Sequence, residues 1–271
     1  MSSAAHSVTA SRATALGSPA LGRIYWLEAK TEALKQLRLP AYVIPTLIFP
    51  VLFYLLFGVM LAKKGVGSFP LGTYLLATYG AFGVIGAAFF GFGVGIAVER
   101  GQGWLLLKRA SPMPVGAYFA AKIALALLFS AIIVGLLFTL GATVGGAHLS
   151  PARWLGLGAT LLMGALPFCA FGLVLGSLAG PNSAPAIVNV IYLPMAFLSG
   201  LWVPIQALPK ALQQLAPALP PYHFAQLALK WLGADQGTPV AQHLGYLVVF
   251  TALCLVVAAV AFRRDKGETW G

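Results

Sequence analysis

Residues 98–114, VERGQGWLLLKRASPMP, hold the densest set of groups that could do chemistry in this chain. Glu99, Arg100, Lys108 and Arg109 flank the apolar run Trp104-Leu105-Leu106-Leu107, and Pro112 and Pro114 close the stretch. A carboxylate beside a guanidinium can anchor a helix end or meet a charged partner, but it is not the nucleophile-and-base pair that covalent catalysis needs. The remaining acids, Glu28, Glu32, Asp235, Asp265 and Glu268, also sit at the ends of apolar runs or between them. Ion-driven carriers usually place a carboxylate inside a span, and none lies there. His6, His148, His223 and His243 are scattered, without the helical spacing of a metal-ligand pair. Cys169 and Cys254 lie inside apolar runs and read as packing residues. The glycine-rich segment 79–98 has no Gly-Lys-Ser/Thr ending, so it is no phosphate loop. The sequence therefore predicts no catalytic residue, no metal site and no cofactor bound by this chain.

The elements around that stretch are membrane helices. Of 271 residues, 59% are hydrophobic and 8% charged, against about a quarter charged in soluble domains. Six apolar runs, 41–62, 73–98, 116–143, 154–179, 184–205 and 243–262, each supply the roughly 20 residues that cross about 30 Å of hydrocarbon as a helix. The predicted fold is all-α, a single transmembrane domain over 21–271 behind a mobile tail over 1–20. Lys and Arg number twelve on the side of both termini and of 98–114, and five on the other. This bias places both termini and 98–114 in the cytoplasm of a multi-pass plasma-membrane protein. The net charge of +11 is spread among connections and forms no basic run with interleaved aromatics, which argues against nucleic acid and for an anionic leaflet.

Two further segments are amphipathic. Over 21–39, Ile24, Leu27, Leu34 and Leu37 share one helical face and Glu28, Glu32, Lys35 and Gln36 the other. This reads as an interfacial helix on the cytoplasmic surface; a solvated helical tail is the alternative. Over 206–232, Pro209, Pro217, Pro220 and Pro221 forbid one continuous helix, and the segment is too apolar for an open loop. A re-entrant hairpin in the outer leaflet is expected, with His223, Gln226 and Lys230 as a polar stripe facing water or headgroups and Trp231 at the boundary. A hairpin that only packs over the bundle is the alternative. Pairs such as Gly91/Gly95, Gly141/Gly145 and Gly172/Gly176 have the spacing of close helix packing.

In 98–114, four large apolar residues in a row cover most of a helix circumference, so a single membrane-facing stripe cannot bury them. Such a helix is served by a second, cytoplasmic protein that receives it; a simple extension of the preceding span is the competing reading.

With these motifs in this order, the sequence resembles the membrane subunits of ABC-2 type exporters. In that family the second span ends in a motif close to Glu-Arg-Glu-x-Gly-Thr-Leu-Glu-x-Leu followed by a proline-containing stretch; here Glu99, Arg100, Gly103, Leu105, Leu107 and Pro112 carry the likeness. Gly101 stands in place of the second acid, Trp104 in place of the threonine, and the later acid is apolar. Ser199, Gly200, Pro204, Pro209 and Pro221 resemble the family's Ser-Gly-x-x-x-Pro signature and its proline-flanked re-entrant segment. The resemblance implies six spans and a cytoplasmic coupling helix in which Glu99, Arg100, Gly103, Trp104, Leu105 and Leu107 meet a separate ABC ATPase subunit that holds ATP and Mg. It implies two permease copies, identical or closely related, with the pathway along the second and fifth spans. Phe82, Phe89, Tyr192 and Phe197 are candidates to line it. Rival classes are a carrier or channel without ATP coupling, and an assembly or sensor subunit. The substrate is not legible.

Overall fold

Backbone groups in an apolar setting must be satisfied within their own segment, and the long apolar runs accordingly form helices. The computed structural model describes residues 21–60, 65–66, 69–110 and 113–264. The expected tail over 1–20, and Pro112, lie outside the described residues. Helix α1 spans Leu21–Leu37 and α2 Pro40–Phe53, which widens into a π-helical turn over Tyr54–Val59. A two-residue antiparallel pairing, Gly65–Val66 with Phe69–Pro70, leads into α3, Leu71–Ala87. A second π segment, Ala88–Val94, joins α3 to α4, Gly95–Gly101, as one continuous rod. Then follow α5, Trp104–Ala110, and α6, Val115–Thr143. Helices α7, Pro151–Met163, and α8, Ala165–Leu178, run end to end. They break at Gly164, where Pro167 has no N–H to return to the Met163 carbonyl. The rest is α9, Ala184–Leu198; α10, Lys210–Leu215; α11, Pro220–Lys230; and α12, Val240–Arg264.

Among the described residues, five rods are long and apolar enough to cross a membrane: Pro40–Val59, Leu71–Gly101, Val115–Thr143, Pro151–Leu178 and Val240–Arg263. These correspond to five of the six expected spans. The expected fifth span, 184–205, is shorter than predicted, because α9 stops at Leu198. Gly200 has φ +77°. Its N–H donates to the Phe197 carbonyl at 3.0 Å and the Leu201 N–H to the Ala196 carbonyl at 3.1 Å. These two bonds make a Schellman cap, which needs a left-handed residue that glycine supplies without steric cost.

Every residue of α3 is buried, so this rod is the axis of the bundle. It packs against α2, α6, α7 and α11, while α8 lies along the Ala88–Val94 segment. There the backbones nearly touch: a Cβ on Gly93 would meet the Gly172 oxygen at 2.9 Å, and one on Gly176 the Gly93 oxygen at 2.5 Å. The Gly172/Gly176 spacing thus serves close helix contact. The Gly91/Gly95 spacing does not: a Cβ on Gly91 would meet the Tyr42 hydroxyl at 2.5 Å and one on Gly95 the Lys122 ammonium at 3.3 Å. Helix α12 turns Val248, Val249, Leu253 and Val256 outward, the arrangement lipid favours.

Both amphipathic segments turn polar groups into the protein. In α1 the polar face points into the protein, burying Glu32 and Gln36, while Leu27, Leu34 and Leu37 stay exposed. In α11 every residue from Pro220 to Leu229 is buried among α3, α7 and α12. It forms a wedge inside the bundle, whereas no residue of α10 is buried.

Candidate functional site

Helices α1, α4 and α6 bring charge together at the α5 end of the bundle. Helix α1 offers Glu28 and Glu32, one turn apart, with Lys35 on the next turn. The rod through α4 ends in Glu99 and Arg100. Helix α6 offers Tyr118 and Lys122, again one turn apart. Lys122, only 1% exposed, reaches Glu99 at 2.9 Å and also pairs with Glu32. Lys35 bridges Glu32, at 3.0 Å, and Glu99. The Tyr118 hydroxyl donates to the second Glu99 oxygen at 2.7 Å. Lys108 pairs with Glu28 and lies 4.5 Å over the Tyr118 ring. Among the described residues, three carboxylates thus face three ammonium groups here, the pairing that burying charge demands. Burial alone would lower the Lys35 pKa, but the Glu99 and Glu32 carboxylates hold it above its ordinary value.

Arg100 serves a different helix. Its guanidinium donates to the Ser177 carbonyl and, at 2.8 Å, to the Ala179 carbonyl. These oxygens lie where α8 ends, at the negative pole of its dipole. The end of the α3–α4 rod is thereby tied to α1, α6 and α8 together.

Gly103, with φ +75°, turns the chain from α4 into α5. Leu105 packs inward against the core, and Lys108 reaches α1. Trp104 and Leu107 point out, 52% and 64% exposed. Helix α5 therefore has one face against its own bundle and one face open.

A cleft of about 1150 Å³ runs between α1, α2, the α3–α4 rod and α9. Its inner walls are aromatic, with Phe53, Phe82, Phe90, Tyr192 and Trp202, and its α5 end is bordered by the ion network and Trp104. Phe82 and Tyr192 stack at 4.9 Å with planes 9° apart, and the Tyr192 hydroxyl donates to the Phe82 carbonyl at 2.5 Å. Of the four pathway candidates, these two line the cleft. Phe89 does not: it is buried against Phe168, Phe171 and Tyr192. Phe197 lies partly exposed, 6.3 Å from Trp202.

The 199–232 residues fall into separate roles. Ser199 and Gly200 form the α9 cap, and Pro204 precedes a single 3-10 turn, Ile205–Ala207. The stripe of His223, Gln226 and Lys230 finds polar partners within the fold, and Lys230 stays partly exposed. His223 Nδ1 lies 2.8 Å from His243 Nδ1, and His223 Nε2 lies 2.8 Å from the Pro217 carbonyl. Gln226 accepts from the Gln236 N–H at 2.8 Å, and Lys230 pairs with Asp235 at 2.7 Å. Trp231 donates to Thr160 at 2.8 Å. Because a carbonyl only accepts, His223 Nε2 carries a proton; neutral His223 Nδ1 then accepts from His243 Nδ1–H. No third metal-ligating group joins this pair among the described residues.

Sequence reading missed the partners of Glu99. Lys122 carried a usable signal, since an ionisable residue inside an apolar run is rarely idle. Counting it only as a topology charge concealed it. The inward turn of Glu28 and Glu32 carried none, because periodicity defines two faces without assigning either to a neighbour.

A central buried rod surrounded by long apolar helices defines a multi-pass membrane protein. A sequence model of the ABC-2 type transporter family matches residues 24–232, and the chain belongs to that family. It is 28% identical over 235 residues to the protein named "Putative transport permease YvfS" of Bacillus subtilis (strain 168), covering 87% of this chain and 95% of that one. It is 31% identical over 129 residues to Nodulation protein J of Rhizobium leguminosarum bv. viciae, covering 46% of this chain and 49% of that one.

Proposed function

We propose that this chain is the permease subunit of an ATP-driven exporter, moving substrate outward across a bacterial inner membrane. A separate ATPase subunit, holding ATP and Mg, docks on α5 from the cytoplasm. Both chain termini lie on that side, and six crossings are made, with α9 and the turn after it completing the fifth. Two copies, identical or closely related, enclose the pathway, and the aromatic cleft beside Phe82 and Tyr192 belongs to it.

The observation that carries this reading is the two-sidedness of α5. Trp104 and Leu107 are large, apolar and exposed, while Lys108 on the same short helix is tied to Glu28 of α1. A partner that moved α5 would move α1 and, through Glu99 and Arg100, the α3–α4 rod with it.

The test is a gentle pull-down from native membranes followed by reconstitution with the ATPase recovered. Wild type should stimulate ATP hydrolysis and export substrate from energised vesicles. Trp104→Ala should weaken ATPase binding by roughly 2 kcal/mol, the scale of a buried interfacial aromatic. Normal coupling in both Trp104→Ala and Leu107→Ala would reduce α5 to a helix extension.

A further inference from the structure

Helix α1 separates its acids from an outward basic and apolar face, and the fold sets which side turns inward. Its two acids turn inward, Glu28 to Lys108 and Glu32 to Lys122 and Lys35. Its outward face carries Arg23, Trp26, Leu27, Lys30, Leu34 and Leu37, which at 100° per residue fall within about a third of the helix circumference. Arg38 follows directly on the same side. All seven are exposed, Trp26 by 68%, and Arg23, Lys30 and Arg38 form no ion pair among the described residues. This face therefore alternates cations with apolar groups and contains no acid.

We propose that the outward face of α1 is a recognition surface for anionic phospholipid. Leu27, Leu34 and Leu37 enter the acyl boundary, Trp26 sits at the headgroup level, and Arg23, Lys30 and Arg38 meet lipid phosphates. The charge pattern argues for this occupant. A neutral bilayer would reward the apolar groups alone, whereas a row of unpaired cations beside them is complementary to a negative surface, where each cation contributes about a fivefold preference. Long basic side chains suit the site, since their stems lie along apolar surface while their heads stay at the phosphates. The inward acids keep the face purely basic, so the same ion network that braces α5 also creates the lipid surface. The inference stands independently of the ATPase reading, because it concerns binding by this chain alone.

The test places the full chain in phosphatidylcholine vesicles containing a fixed fraction of either brominated phosphatidylglycerol or brominated phosphatidylcholine. The Trp26 signal is the fluorescence difference between wild type and Trp26→Phe. At low salt, brominated phosphatidylglycerol should quench that signal at least threefold more effectively than brominated phosphatidylcholine. The preference should shrink at 1 M salt, where charge interactions reach only about 3 Å. Combining Arg23→Gln, Lys30→Gln and Arg38→Gln should abolish the preference with no change in thermal unfolding, and Lys30→Gln alone should weaken it. Equal quenching by the two lipids, or a preference that survives in the triple variant, overturns the proposal. Quenching by neither lipid overturns it in favour of a protein covering this face, a second copy included. Loss of the preference on adding millimolar glycerol phosphate overturns it in favour of a simple anion site.

Discussion

Lys122 and Glu99, on different helices, form an ion pair at 2.9 Å in which the lysine is almost wholly buried. Glu99 also accepts from Tyr118 and Lys35, and Lys122 also pairs with Glu32. The pair therefore joins α1, α4 and α6 at one point, beneath the helix that carries Trp104. A charge cluster of this kind is costly to break from one side, because the remaining partner stays buried without compensation.

Lys122→Met should accordingly destabilise the protein by about 3–5 kcal/mol, the scale for breaking a buried pair by removing one partner. Adding Glu32→Gln to that variant should restore part of the loss, since one uncompensated carboxylate disappears. Thermal unfolding in detergent measures both. An additive double variant would mean that the two groups do not share the network.

Arg100→Lys keeps the charge but loses the planar fork that reaches two carbonyls at once. The end of α8, at Ser177 and Ala179, should fray. Amide exchange near residues 175–179 should accelerate by at least tenfold, whereas exchange across α12 should not change.

His223 links stability to pH. Burial lowers its pKa below the ordinary 6.5, against a smaller opposing effect of the Pro217 carbonyl. The unfolded chain then takes up the proton first, so stability is full above about pH 6.5 and falls as the pH drops through that value. Protonation would also set an N–H on His223 Nδ1 against the proton of His243. Melting temperatures between pH 8 and pH 5 should fall on the acid side, and His223→Asn should flatten that limb. A wild-type profile that is level down to pH 5 would be incompatible with the tautomers derived above.

Gln102 and Gln236 are both exposed, Gln102 beside α5 and Gln236 beyond α11. Single cysteines there should label from opposite sides of the membrane, Gln236→Cys from outside in intact cells and Gln102→Cys only after permeabilisation. Labelling of both from outside would reverse the proposed orientation of α5.

Much of this architecture is set by the chain locally. Hydropathy alone marks the rods at Pro40–Val59, Leu71–Gly101, Val115–Thr143, Pro151–Leu178 and Val240–Arg263, because a long apolar segment must satisfy its own backbone as a helix. The turn at Gly103 and the cap at Gly200 are also local, since each needs a left-handed residue where the sequence supplies glycine. The exposed pair on α5 follows from the Trp-Leu run, which is too broad for a single buried face.

Tertiary structure decided where the polar faces point. Periodicity divides α1 into an acidic side and an apolar side, but the acidic side turns inward only because Lys108 and Lys122, distant in sequence, wait there. The stripe of His223, Gln226 and Lys230 was equally visible as a stripe, yet His243, Gln236 and Asp235 satisfy it within the fold. Phe89 and Tyr192 were indistinguishable as aromatic residues in spans; packing sends one into the core and leaves the other on the cleft. A sequence states which groups a helix carries on each face. Whether a face meets water, lipid or a complementary charge depends on the side chains that the other helices bring to it.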